Sequence, residues 1–247
     1  MKRIITLLIV ISLFFTSCEL FLTPYQGGAL TTILIGSNEE NLPNSPNDAK
    51  ALSTVLKRLA QKYGRAYSET RFITNESAAF NKEEVLSEVT THASELKKDD
   101  LLLFYYSGHG NKTSINIGEG ITPVELYDAL SSRKEGKILL IIDACYSGIF
   151  IPSQQSSHIT VITASRDDEE SWSGYGGKSY SYFTYILLSA LGHFTQQDTP
   201  PALYQGVLTA GSLYAEIRAH TETHNQTPMS IQGPLDVVLF ADYPRVK

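Results

Sequence analysis

The sequence predicts an α/β layered domain on a mostly parallel six-stranded sheet, and three observations carry that expectation. Short β-branched or apolar runs alternate with stretches of helical periodicity along the chain. Two of the runs, LLLFYY at 101–106 and KILLII at 137–142, are continuously apolar, as strands covered by helices on both faces must be. Each is followed at once by a polar, glycine-containing turn, at the strand end where an open parallel sheet keeps its crevice.

The elements follow in order. Residues 29–36, ALTTILIG, form a β-branched strand closed by glycine. After the turn-rich NLPNSPN at 41–47, Asp48 stands at an N-cap position before Ala49, Leu52, Val55, Leu56 and Leu59, which predicts a helix over 48–63. A short strand is expected at 68–74. Asn81 leads into a second helix, with Glu83 and Glu84 in its first turn. The strand at 101–106 comes next, then a helix at 122–133 with Pro123 at its first position. The strand at 137–142 precedes one at 158–164. A polar loop over 167–179, helices at 182–191 and 212–220 and a last strand at 235–240 complete the domain.

With 247 residues, 42% hydrophobic and 19% charged, the chain has the apolar content for one globular domain, assigned to 29–247, behind a short leader. The formal net charge of −6 offers no footprint for a phosphate backbone, so nucleic acid is excluded as a partner class. The leader, 1–18, has Lys2 and Arg3 ahead of an apolar run from Ile4 to Phe15, which ends at Thr16, Ser17 and Cys18. That is the layout of an export signal, and the run is well short of the roughly 20 residues a spanning helix needs. Phe15-Thr16-Ser17-Cys18 resembles a bacterial lipobox, which implies lipidation at Cys18, a tether over 19–28 and a domain anchored to a bacterial membrane, periplasmic or surface-facing. A plain signal peptide with an incidental cysteine is the alternative. With Cys18 lipidated, Cys145 is the one thiol left and no intramolecular disulfide can form.

Chemistry concentrates in the two turns. A free thiol is mostly protonated at neutral pH and needs a neighbouring base or cation to attack. If the strands at 101–106 and 137–142 are neighbours, their ends lie roughly 5 Å apart, and the turns Ser107-Gly108-His109-Gly110 and Asp143-Ala144-Cys145 can bring imidazole and thiol together. The backbone N–H groups of Gly110 and Cys145 can then face a tetrahedral oxygen. Taken singly, Cys145 could be a small buried hydrophobe and His109 a loop residue.

Taken together, FYYSGHG and LLIIDACYSG resemble the His and Cys motifs of the caspase and metacaspase superfamily of cysteine peptidases, clan CD. Further resemblance lies in Asn47-Asp48-Ala49, Ala164-Ser165, Tyr182-Phe183-Thr184 and Gln226-Thr227-Pro228. The resemblance implies a caspase-like three-layer αβα sandwich, Cys145 as nucleophile and His109 as base. By the same resemblance, Asp143 and Asp48 floor a pocket for Arg or Lys before the cleaved bond, with Ser107 as a polar wall and Ser165 beside the substrate. Buried carboxylates left unpaired are costly, and a guanidinium would relieve them; helix capping by Asp48 and turn formation by Asp143 are the plainer roles.

The chain departs from the metacaspase pattern in lacking clustered acids after His109 and Cys145, where only Glu119 stands, so calcium activation is not expected and no cofactor is required. The run Asp167 to Glu170 reads as a solvated loop, a residual ion site or a substrate rim, and Trp172 as a lid, a pocket wall or a packed side chain. Arg166 and Lys178 lie where related enzymes are sometimes cut, which makes self-processing an expectation. A monomer or weak homodimer fits either branch of the superfamily. A catalytically silent caspase-like interaction module, or acyl transfer to cell-wall peptides, would use the same residues differently.

Overall fold

The β-branched and continuously apolar runs form strands, and the periodic stretches form helices, in the computed structural model, which describes residues 27–242 apart from 40, 74–79, 175–178, 196–198, 222–225 and 231–233. In chain order these are β1 (Leu30–Gly36), α1 (Asn44–Tyr63), β2 (Tyr67–Ile73), α2 (Lys82–Glu95), β3 (Leu101–Ser107), α3 (Pro123–Leu130) and β4 (Lys137–Asp143). A short 3-10 turn (Ser147–Phe150) follows, then β5 (Ile159–Thr163), α4 (Tyr182–Ala190), β6 (Val207–Thr209), α5 (Ala210–Thr221), β7 (Met229–Ser230) and β8 (Val238–Ala241). The leader, Cys18 and all but the last two residues of the expected tether lie outside the described residues.

The main sheet has six strands in the order β2-β1-β3-β4-β5-β7, parallel from β2 to β5 and closed by antiparallel β7. Every residue of β3 is buried, because alternate side chains enter opposite cores. Leu101, Leu103 and Tyr105 pack with α1, α4 and α5, whereas Leu102, Phe104 and Tyr106 pack with α2 and α3. The result is the expected three-layer α/β sandwich.

Caps fix where the helices begin. The Asn81 side chain accepts the Glu84 N–H at 2.9 Å, and Thr122 and Glu125 form a reciprocal capping box ahead of Pro123. Helix α1 departs from expectation. It begins at Asn44, four residues early, and Pro46 in its first turn forfeits no intrahelical bond there. Asp48 is consequently inside the helix and does not cap it.

The sixth strand also differs. The segment expected to close the sheet, 235–240, instead forms β8, which pairs with the three-residue β6 in a separate two-stranded sheet. Its place in the main sheet is taken by Met229–Ser230, which pairs with Thr163 and Ile162. Two residues carry too little alternation to read as a strand.

Candidate active site

Parallel pairing of β3 and β4 sets the geometry of the crevice. Their registers end on the same rung, Ser107 opposite Asp143, so His109 and Cys145 each stand two residues beyond a paired strand end. The Gly108 N–H donates to the Asp143 carbonyl at 3.2 Å and ties the first turn to the second strand. A side chain at Gly108 would strike the Tyr106 hydroxyl at 2.3 Å; that hydroxyl donates to the carbonyls of His109 and Asn116 and holds the loop down. At Gly110 an added Cβ would lie 2.6 Å from the Cys145 carbonyl oxygen, so only glycine lets the two turns close to this distance.

The turn that holds Cys145 is braced from below. Ser165 is fully buried; its hydroxyl donates to the Ala144 carbonyl at 3.0 Å and accepts the Ser147 N–H at 3.3 Å. Its hydroxyl is thus spent inside the protein, under the residues flanking Cys145. Tyr146, next in the chain, adopts left-handed backbone at φ 56°, which turns the chain sharply after the thiol. Cys145 itself is a free, half-buried cysteine. Its sulfur lies 3.4 Å from the Ser171 N–H. Neither the Gly110 nor the Cys145 N–H, nor the His109 ring, is bonded to a described residue.

Beside this crevice lies a buried carboxylate pair. Asp48 is wholly buried and accepts from the Ser107 hydroxyl at 2.7 Å and the Ser181 N–H at 3.1 Å. Asp143, almost as buried, accepts from the hydroxyls of Ser181 and Thr184, and Thr184 bonds in turn to Tyr105 at 2.6 Å. No cation pairs with either carboxylate among the described residues. Burial pushes Asp143 up to about 6 against its hydroxyl donors, and burial together with the charge of Asp143 pushes Asp48 well above the usual carboxylate range. The structure therefore brings together Asp48, Ser107 and Asp143 as one cluster, and Ser165 stands apart from it beneath the turn that holds Cys145.

Two residues of this cluster were not legible as site residues. Ser181 caps α4 by accepting the Thr184 N–H at 3.2 Å, and it bonds to both carboxylates. Thr184 carries the second hydroxyl. The sequence signal was the Ser-x-x-Thr step before an apolar helix, which by itself says only where a helix starts.

A family model described as the peptidase C13 family matches residues 52–229, more than half of the chain. The chain belongs to the peptidase C13 family. This places the C13 domain among cysteine-peptidase-type hydrolases and bears out clan CD, while the family matched is C13 and not the caspase and metacaspase family that the two motifs resembled. The match takes in His109, Asp143 and Cys145, with Asp48 just ahead of it. The fold is similar to the crystal structure of a protein from Geobacter sulfurreducens, with a TM-score of 0.59 and 16% identity over 88% of this chain and 98% of that one. A search of curated proteins finds no match.

Of the acidic run of this C13 chain, Asp167, Asp168 and Glu170 are exposed, as a solvated loop would have them, and Glu169 is half-buried. Tyr146, Arg166, Asp168, Glu169, Glu170 and Trp172 border a cleft of about 690 Å³ next to the thiol. Arg166 pairs with Asp168 at 2.9 Å, Glu170 accepts from the Tyr146 hydroxyl at 3.1 Å, and Trp172 is 58% exposed. Lys178 lies outside the described residues. Among the described residues no three His, Cys, Asp or Glu side chains gather as a metal site, and no helix is long and apolar enough to cross a membrane.

Proposed function

We propose that this protein is a cysteine endopeptidase that cleaves after Arg or, less well, Lys, with Cys145 as nucleophile and His109 as general base. The observation that carries the reading is the buried pair Asp48 and Asp143, without a cation among the described residues, beside the turn that holds Cys145. Two carboxylates held by neutral donors alone are disfavoured when both are charged, and a guanidinium would relieve them with charge-assisted bonds. A planar, bidentate Arg fits that demand better than the point charge of Lys.

The chemistry follows from the turns. His109 takes the thiol proton as Cys145 sulfur adds to the scissile carbonyl carbon, and the oxygen gains negative charge. The N–H groups of Gly110 and Cys145, which bond to no described residue, are available donors to that oxygen. The C–N bond then breaks, and His109 returns the proton to the leaving amine. Water, deprotonated by His109, attacks the thioester and releases the acid and the thiol. With no third group on the imidazole among the described residues, the reading is a dyad.

A positional library varied at the residue before the cleaved bond tests this. The reading predicts Arg first, Lys second and no turnover of Asp or neutral residues; preference for an acidic or neutral residue would contradict it. Export and membrane attachment through Cys18 belong to the same proposal, and mass spectrometry of the protein from its native membrane would show whether a lipid is present there.

A further inference from the structure

The Gln226-Thr227-Pro228 segment is far in sequence from both turns, yet the Gln226 side chain is 2% exposed beneath the cleft. Its Oε1 accepts the Trp172 N–H at 3.1 Å, and its Nε2 donates to the Ala164 carbonyl at 3.0 Å. Trp172 N–H needs an acceptor and Ala164 C=O a donor, and a carboxamide in this orientation serves both. Ala164 follows β5 and precedes Ser165, whose hydroxyl holds the Ala144 carbonyl of the nucleophile turn. One side chain therefore fastens the segment at 171–172 to the strand end that also braces the thiol. The far side of the same segment is held by the Glu169 carbonyl, which accepts the Tyr146 N–H at 2.7 Å.

What this fastening positions is the Ser171 peptide, whose N–H donates to the Cys145 sulfur at 3.4 Å and whose carbonyl accepts from the thiol at the longer distance of 3.8 Å. An N–H donor to sulfur favours the thiolate over the thiol. We infer that Gln226 is a positioning residue of the nucleophile: through the Trp172 N–H it holds the Ser171 amide against Cys145 and so sets the reactivity of the sulfur. This rests on Cys145 being the nucleophile. Ionisable groups facing the same segment are Glu169, which also accepts the Thr227 N–H, Glu170 bonded to Tyr146, and Asp168 paired with Arg166; none of them bonds to the Gln226 carboxamide.

The test compares full-length wild type, Gln226→Leu and Gln226→Glu, reading the pH dependence of iodoacetamide labelling on the Cys145 peptide by mass spectrometry, with peptide turnover and thermal unfolding measured alongside. Gln226→Leu is expected to slow labelling of Cys145 several-fold across the pH range, and to lower kcat/KM roughly tenfold while remaining folded at the assay temperature. Gln226→Glu can make both bonds only when protonated. It should match wild type at the acid end and Gln226→Leu at the alkaline end, a limb that a merely structural role would not produce. A folded Gln226→Leu with the wild-type labelling profile, or a Gln226→Glu profile parallel to wild type, overturns the inference. If Gln226→Leu does not fold, Gln226→Glu decides alone. If wild type cleaves no peptide, the proposed activity fails, and the labelling profiles still decide the role of Gln226.

Discussion

Ser107 and Asp143 face each other on the last rung shared by β3 and β4, and His109 and Cys145 each follow two residues later. The rung does two jobs at once. It sets the His109 and Cys145 turns at the same end of the sheet, and it aims Ser107 and Asp143 into the carboxylate cluster with Asp48.

Removing either member of the dyad should abolish peptide cleavage and leave the fold intact, since neither side chain is part of the core. Cys145→Ala and His109→Ala are each expected to lose at least about a thousandfold in kcat/KM, with unfolding temperatures close to wild type. Paired turnover and thermal melts check this.

Asp143 yields a prediction in pH. Its carboxyl is pushed up to about 6 in the folded protein, above the unfolded value, so the folded state holds the proton more tightly. Its share of stability is present below about pH 4 and is lost as pH rises towards 6. Asp143→Asn stays neutral and keeps acceptor oxygen for Thr184. Its melting temperature relative to wild type should therefore climb between about pH 4 and pH 6 and then level off a few degrees higher, while cleavage after Arg falls.

Gly110→Ala tests the closeness of the two turns. The added methyl would stand 2.6 Å from the Cys145 carbonyl oxygen, which is backbone and cannot swing aside. Stability should drop by about 1–3 kcal/mol in denaturant titrations, and turnover should fall further than that loss of folded protein explains.

Ser165→Ala tests the brace under the nucleophile. The buried Ala144 carbonyl loses its hydroxyl donor, so about 1–3 kcal/mol of stability is expected to go, with kcat reduced and KM for an Arg substrate little changed. A rise in KM alone would instead return Ser165 to the substrate pocket.

The layered fold was legible because its strongest signals are local. LLLFYY and KILLII can be satisfied only by burial on both faces, and the turns after them put His109 and Cys145 at the same sheet edge. What was not legible depends on pairings across long separations. Asp48 looked like a cap because the helix start was read from the apolar spacing, and Pro46 concealed the extra turn before it. Met229–Ser230 is too short to show a period, so 235–240 was given its place in the sheet. Ser181 is a helix cap in sequence and a bridge between two carboxylates only in three dimensions, and the same holds for Gln226, which lies 54 residues beyond Trp172.

The most direct test of the central claim is covalent labelling by peptidyl acyloxymethyl ketones bearing Arg or Asp next to the reactive group. Wild type is expected to gain one adduct from the Arg reagent, located on Cys145, and Asp143→Asn to gain it more slowly, whereas Cys145→Ala and the Asp reagent give none. An adduct on another residue, equal labelling by the Asp reagent, or no adduct on folded wild type would contradict that claim.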